Sequence, residues 1–380
     1  MRIRLRQLRR DERGMSFVFV GLGFMAFFAA TTLAIDVGMF MTARSQAQNS
    51  ADAGALAGAT ALVFNDYNDR TVGGPAVQSA INTAMANAVM GNTVSVQPAD
   101  VTFPLGPTGL ANRVKVEVFR TSTRSNPVTT LIGPIFGINN VDIWATATAE
   151  ASPANATSCV KPFMIPDRWK ENSVPPNNTF DRYDNHGNVL PNADVYYPPS
   201  HPQYQGWSVT DKGTLLTIRA GTGNNVETSF YFSWKMPGWE IGGDWYRDNI
   251  ASCNPTVISV PYIMIQEPGN KVGETVQGID LLMAQDPSAH WDTVNDVVVS
   301  PMSPSPRVFP IPLYDPDYYQ DNMTHGRNAD FKMVNWVGFF LEGRDGNNVY
   351  GRISPITGVI DPNAGPAPAG TFPMAIRLVQ

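Results

Sequence analysis

Residues 15 to 35, MSFVFVGLGFMAFFAATTLAI, form an apolar run of twenty-one residues without a charge. A hydrocarbon core about 30 Å thick needs ~20 helical residues to cross it. A buried helix of a soluble domain is usually shorter, so the run predicts a membrane-spanning helix. Beyond it the apolar positions persist but shrink. Residues 48 to 62 read QNSADAGALAGATAL, and no proline interrupts the chain before about Phe64. Alanine is the best helix former, and an isolated glycine costs roughly 1 kcal/mol. The helix is therefore expected to continue through this stretch. Ala47, Ala51, Ala55 and Ala59 recur every four residues, and Ser50, Gly54 and Gly58 form the adjacent row. Small residues at this spacing admit close approach of another helix backbone. Two partners fit: a helix of another subunit, or the chain's own next helix.

That next helix is expected over residues 76 to 90, AVQSAINTAMANAVM, with Val77, Ile81, Met85 and Val89 near one face and Gly91–Asn92 as its stop. Alternation then takes over. Thr93–Val96, Asn112–Arg120 (NRVKVEVFR) and Val141–Ala149 (VDIWATATA) read as strands, with a short helix over 127–137. Further strands are expected at Thr214–Arg219, Thr228–Trp234, Val257–Ile265 and Val334–Leu341, and a helix over 271–285. Prolines at 301, 304, 306, 310, 312 and 316 predict an extended, edge-like path.

Composition divides the chain near residue 150. Before it lie one of eight tryptophans, one of twelve tyrosines and six of thirty-one prolines. The expected order is a basic tail (1–14), the span (15–35), an α+β region (36–151) and a β-rich domain (152–380). The fold class is α+β.

Charge sets the expected orientation. Arginines stand at 2, 4, 6, 9, 10 and 13, whereas the far side of the run opens with Asp36 and has its first basic residue at Arg44. The positive-inside rule places the N-terminus in the cytoplasm and the remainder across the membrane. A cleaved secretory signal is the rival, but its apolar region spans about 7–15 residues and ends in a small-residue cleavage site. Without the tail, twenty-one basic and thirty-one acidic residues remain. An acidic exported domain gives no electrostatic reason to bind nucleic acid. The two cysteines, Cys159 and Cys253, both fall on the exported side. An oxidising compartment favours their pairing; the alternative is two unpaired buried thiols.

Arg13–Gly14 before the run, Ile35–Asp36–Val37–Gly38 at its end, then Ala43–Arg44, Gln48–Asn49 and Ala51–Asp52–Ala53–Gly54–Ala55–Leu56–Ala57–Gly58–Ala59 form a recognisable pattern. It resembles the TadE/TadG-like proteins of bacterial Flp (tight-adherence) pilus and secretion systems, most closely over residues 13–62. The motif residues are Asp36, Gly38, Gln48, Asn49 and Asp52. The resemblance implies a non-enzymatic component of a pilus or secretion machine, anchored in the inner membrane and facing the periplasm. It implies other pilus or secretion subunits as partners, is compatible with a homo-oligomer, and bears on adhesion. On this reading Ala47, Ala51, Gly54, Ala55, Gly58 and Ala59 form a helix-packing interface. Gly14–Met15 fits the position where pilin-like precursors are cut, although Phe19 stands where pilins usually carry glutamate. Some relatives carry a D-x-S-x-S metal motif; the nearest stretch here, Asp286–Pro287–Ser288–Ala289–His290, ends in the wrong residue.

No H-E-x-x-H, G-x-S-x-G, phosphate loop or C-x-x-C occurs. The histidines at 186, 201, 290 and 325 are dispersed, and the acidic turns near Asp181 and Asp315 lack EF-hand spacing. No cofactor, metal or catalytic residue is expected. The rival class is a membrane-tethered periplasmic enzyme or carbohydrate binder, for which a perturbed carboxylate pair in a deep cleft would speak.

Overall fold

The computed structural model describes residues 13–65, 69–106, 109, 111–184, 186–221, 225–238, 242–269, 271–302, 304–322 and 330–379. The arginines at positions 2 to 10, Asn185 of the turn at 184–187 and His325 lie outside the described residues. Two compact units are present. One comprises Met1–Ala59, Arg70–Ala149 and Leu378–Gln380; the other comprises Thr60–Asp69 and Glu150–Arg377.

The first unit is built on α1 (Arg13–Phe64), one uninterrupted helix of 52 residues. At 1.5 Å per residue it is about 78 Å long. Its first part is apolar and bare: Phe17, Phe19, Val20, Met25 and Phe27 are all exposed. Further along, α1 packs against α2 (Pro75–Ala86) and the strands β1 (Val101–Thr102), β2 (Arg113–Arg120) and β5 (Ile143–Pro153), of which Ile143–Ala149 belong to this unit. Between β2 and β5 in sequence lies a small ribbon, β3 (Val128–Thr129) with β4 (Asn140–Val141). The alternation of NRVKVEVFR is realised on β2. Val114, Val116, Val118 and Arg120 point inward, and the residues between them are half-buried.

Three local expectations change. The expected strand at 93–96 is reduced to a single bridge, Ser95 to Phe119. The second helix stops at Ala86 rather than residue 90, because the Met90 N–H goes to the Gln46 side chain (2.8 Å) and Met90 takes a positive φ of 51°. The helix expected over 127–137 contracts to one 3-10 turn, Gly133–Phe136. Pro134 has no N–H to extend the ladder, and Gly137 leaves the turn in the left-handed region.

The second unit contains a closed barrel. Its strands are β7 (Phe163–Pro166), β8 (Leu215–Ala220), β9 (Phe230–Ser233), β14 (Val308–Tyr314), β15 (Asp330–Asp345) and β16 (Asn348–Ile353). They pair in the ring β15–β14–β7–β9–β8–β16–β15. The β7–β14 and β8–β9 pairs are parallel and the rest antiparallel. The sixteen-residue β15 makes closure possible. Its first part pairs with β14 and with β11 (Tyr262–Ile265), and its second part turns back to β16. Shorter pairs lie outside the ring: β6 (Ala156–Thr157) with β10 (Ile258–Ser259), β12 (His290–Asp292) with β13 (Val297–Val299), and β17 (Ile356–Thr357) with β18 (Pro373–Val379).

Alternate residues of the barrel strands converge in one cluster that includes Phe163, Ile165, Ile218, Phe309, Phe339 and Val349. Helices α3 (Gly243–Ala251) and α4 (Val272–Gln285) add Tyr246, Ile250, Ile279 and Leu282 to it. Side chains thus fill the barrel, as in small barrels generally. A second cluster holds Trp234, Trp336, Tyr314, Phe331 and Phe180. α5 (Pro316–Asp321) is capped by the Asp315 carboxylate, which accepts from the Tyr318 N–H.

The proline-rich segment departs from its expected edge position, since β14 is paired on both sides. Pro310 and Pro312 are two residues apart, so both nitrogens face the same side of the strand. That side is toward β7: the Pro310 carbonyl accepts there from the Lys161 N–H (3.2 Å). The continuous ladder with β15 needs no N–H from either proline.

Cys159 and Cys253 are disulfide-bonded across a sequence separation of 94. The bond ties the approach to β7 to the end of α3. Lys161 adds a second tie, its Nζ donating to the carbonyls of Ile250 and Ser252 at 2.7 Å each. A cation is favoured at a helix C-terminus. For a closed loop of this length the chain-entropy model gives about 4–5 kcal/mol. Cys159→Ser is expected to lower stability by about 2–5 kcal/mol, read by thermal or denaturant unfolding of the oxidised protein. Equal stability of parent and variant would contradict this.

Candidate functional site

No cluster of chemically reactive groups dominates the described residues, and the site is built from the helix that the sequence pattern singles out. Ala43, Ala47, Ala51, Ala55 and Ala59 are each at most 1% exposed. Ser50, Gly54 and Gly58 are buried beside them. The Ser50 Oγ donates to the Ala84 carbonyl of α2 (2.8 Å). A Cβ added at Gly54 would lie 2.9 Å from both the Ala80 carbonyl oxygen and the Ala84 Cβ. One added at Gly58 would lie 2.8 Å from a Val114 methyl and 3.1 Å from the Ala80 Cβ. The glycines are therefore required by close approach. Of the two partners the sequence admits, α2 lies on this row, with β2 beside it.

Polar residues of the same stretch hold the strands and loops that follow. Gln48 Nε2 donates to the Thr146 carbonyl on β5 (3.0 Å) and to Asp52 Oδ1 (2.8 Å). Gln46 accepts from Met90, as described above. Asn49 is exposed. Gly38 has open space where a Cβ would stand, and its carbonyl accepts from Thr42 Oγ1 (2.9 Å). Gly14 and Met15 stand at the start of α1, and Met15 is exposed.

Asp36 is the one acidic residue at the exit of the apolar run, and it is 7% exposed. Its carboxylate accepts the backbone N–H groups of three successive residues: Leu131 (3.1 Å), Ile132 (3.3 Å) and Gly133 (2.7 Å). Consecutive N–H groups of a turn form an anion-binding concavity. Here the anion is part of the chain, and it fixes the loop 130–138 to one level of α1. An apolar groove of about 300 Å³ lies alongside, lined by Ala29, Leu33, Phe40, Ile132, Phe136 and Ile138 among others.

Titratable groups elsewhere serve the fold. Asp167 is fully buried; its Oδ2 accepts from the hydroxyls of Tyr196 and Tyr204 at 3.0 Å each. Burial pushes its carboxyl up to about 7, against the tyrosine and Arg168 N–H hydrogen bonds, with the Asp315 charge adding to the rise. Burial likewise brings the Lys161 ammonium down to about 7. His201 stacks on Tyr197, with ring centroids 4.5 Å apart. His290 sits against the Ser288 carbonyl, and the His186 N–H donates to Asp184. Asp317 pairs with Arg182 at 2.8 Å. Among the described residues no group of three metal-ligating side chains comes together.

Sequence reading alone missed Lys161 and the loop that receives Asp36. A lysine inside the apolar segment Val160–Pro166 was an available signal for the first. For the second, the signal was the uncharged segment 125–141, which is too polar to read as a span and too apolar to read as an ordinary loop.

Residues 14–61 match the model of the Tad family, Flp pilus-assembly TadE/G-like. No curated protein and no solved structure matches the chain. The match covers the apolar run, Asp36, the glutamine pair and the whole small-residue row.

Two outcomes are expected for this region. Gly54→Leu should destabilise the first unit by about 1–3 kcal/mol, the usual cost of overpacking, while leaving the apolar run untouched. Asp36→Asn should cost about 1–3 kcal/mol, because an amide presents its own N–H groups to buried N–H donors. Both are read by proteolysis of the detergent-solubilised protein, with cleavage at 86–142 increasing. Unchanged proteolysis would exclude the assigned contacts.

A third outcome concerns pH. The folded-state value of Asp167 lies above its ordinary 3.8. The folded chain therefore keeps a proton that the unfolded chain has released. The contribution to stability is full below about pH 4 and is lost as pH rises through about 7. The stability of the parent relative to that of Asp167→Asn should fall as pH rises across that window and be flat above it. A parent that gains stability relative to the variant as pH rises would reverse the assignment.

Proposed function

We propose that this protein is a membrane-anchored component of a bacterial Flp/Tad-type pilus or secretion apparatus, acting in pilus assembly or as a minor pilin-like subunit. The observation that carries the reading is the family match over residues 14–61. It coincides with the helix that is bare and apolar at its start and closely packed further along. α1 is long and apolar enough to cross a membrane. The arginine-rich residues before it support a cytoplasmic N-terminus by the positive-inside rule. The folded units after it, one of them carrying a disulfide, then lie in the periplasm, an oxidising compartment.

The small residues of α1 are engaged within the chain, so partners are expected on other surfaces. The exposed apolar part of α1 is one of them: helices in lipid associate through packing without a hydrophobic drive. The filled barrel supports a structural role for the second unit. Cleavage after Gly14 is part of the proposal and is read by N-terminal sequencing of the mature chain.

Two measurements test the function. A reporter fused after Gln380 is expected to be active only in the periplasm. A tag at the same end, used in native membranes, is expected to co-purify Flp pilus or secretion subunits, and deletion of the gene to remove surface pili. Normal pili in the deletion strain together with no pilus subunit in the eluate would refute the role.

A further inference from the structure

We propose that the loop Leu131–Ile138 is a second membrane contact, inserted into the same bilayer that the apolar run of α1 crosses. The proposal rests on the spanning reading of α1 and adds a lipid-facing surface to the folded unit that follows it.

Four observations carry it. First, the loop exposes a contiguous set of large apolar side chains: Leu131 at 69%, Ile135 at 78%, Phe136 at 63% and Ile138 at 54%. Single exposed apolar residues are ordinary, but a cluster marks an interaction site. Second, no charged residue occurs between Arg124 and Asp142. A water-facing loop of that length normally carries charge, and one that meets a protein partner normally has a polar rim.

Third, the loop's height along α1 is fixed. Asp36 binds the N–H groups of residues 131 to 133, and Ile132, Phe136 and Ile138 share a groove with Ala29, Thr32 and Leu33. Ala29 is six residues before the end of the uncharged run, which is about 9 Å along the helix. Amphipathic elements that lie on membranes bury their apolar face about 5–10 Å into the boundary. If α1 spans, Phe136 and Ile138 reach that depth without any rearrangement.

Fourth, the backbone N–H groups of residues 130–133, 135, 137 and 138 are satisfied internally, which lowers the cost of a lipid environment. Thr130 N–H bonds to the Asn139 carbonyl, Ile135 to Ile132, Gly137 to Pro134 and Ile138 to Gly133. Residues 131 to 133 donate to Asp36, and Pro134 has no N–H to place. The Thr130 hydroxyl donates to the Ile138 carbonyl (2.6 Å). Trp144, exposed six residues further on, supplies a ring of the kind enriched at membrane interfaces.

The occupant is lipid, and the test separates it from a protein occupant. The disulfide leaves no free thiol, so single cysteines can be introduced and labelled with an environment-sensitive fluorophore. The full chain is reconstituted into phosphatidylethanolamine–phosphatidylglycerol vesicles carrying nitroxide lipids, with the nitroxide near the headgroup or at the chain end. Ile135→Cys and Phe136→Cys report on the loop, Met25→Cys on the helix, and Val174→Cys, 90% exposed in the second unit, on solvent. The headgroup-proximal nitroxide is expected to quench the loop labels by about half or more, as for groups about 5–10 Å deep. Met25→Cys should be quenched more by the chain-end nitroxide, and Val174→Cys by neither. If Met25→Cys is quenched and both loop labels are not, the loop proposal fails while the spanning reading stands. If Met25→Cys is also unquenched, the spanning reading fails and takes the loop proposal with it. Loop labels that lipid nitroxides spare but a nitroxide-labelled second copy quenches would assign this surface to self-association and overturn the proposal.

Discussion

The approach of α1 to α2 without intervening side chains is the constraint on which the first unit depends. With no side chain at positions 54 and 58, Ala80 and Ala84 of the partner helix can approach the helix backbone closely. Helix-to-helix contact of this kind gains little per atom, since each pair of atoms at contact contributes only about 0.1–0.2 kcal/mol. It gains specificity instead, because larger side chains cannot be accommodated. The polar side chains on the same helix then meet fixed acceptors and donors: Ser50 on Ala84, Gln46 on Met90 and Gln48 on Thr146. The family-matched segment is therefore also the segment that organises its own fold.

The second unit follows a different logic. Its barrel closes because one long strand serves two sets of neighbours, and its interior is packed with aromatic and branched side chains. A filled barrel is a rigid body. Two features bind α3 to it: the disulfide, and the Lys161 ammonium on that helix's terminal carbonyls. Replacing the lysine by an apolar residue would leave those carbonyls short of a donor in a buried place, and a buried polar group without a partner is costly.

Local order was legible in the sequence wherever one residue type decided it. The α+β class and the long apolar helix could be read from hydropathy, β2 from its alternation, and α4 almost to the residue from its period. The four-residue step of the alanines announced a close contact. It could not say which helix supplies the other side, because any small-residue face fits. Barrel closure was beyond reach: β7 meets β14, and β8 meets β16, across more than a hundred residues each, and no periodicity encodes such pairs. The prolines misled for a related reason. They report that one edge of a strand lacks donors, and position 310 shares that edge with 312, leaving the other edge free for β15. The role of Asp36 was hidden because its partners are backbone groups, which have no signature of their own.

The carboxylate of Asp36 also sets a helical phase. From Asp36 to Ala47 is eleven residues, three turns and about 20° more at about 100° per residue, so the loop-binding oxygen atoms and the alanine row share one side of α1. One residue inserted between them would leave composition, hydropathy and helix propensity nearly unchanged. It would nonetheless swing Asp36 about 100° around the axis, carrying a charge out of its turn of N–H groups. The folded unit therefore depends on the rotation of the helix as well as on its position.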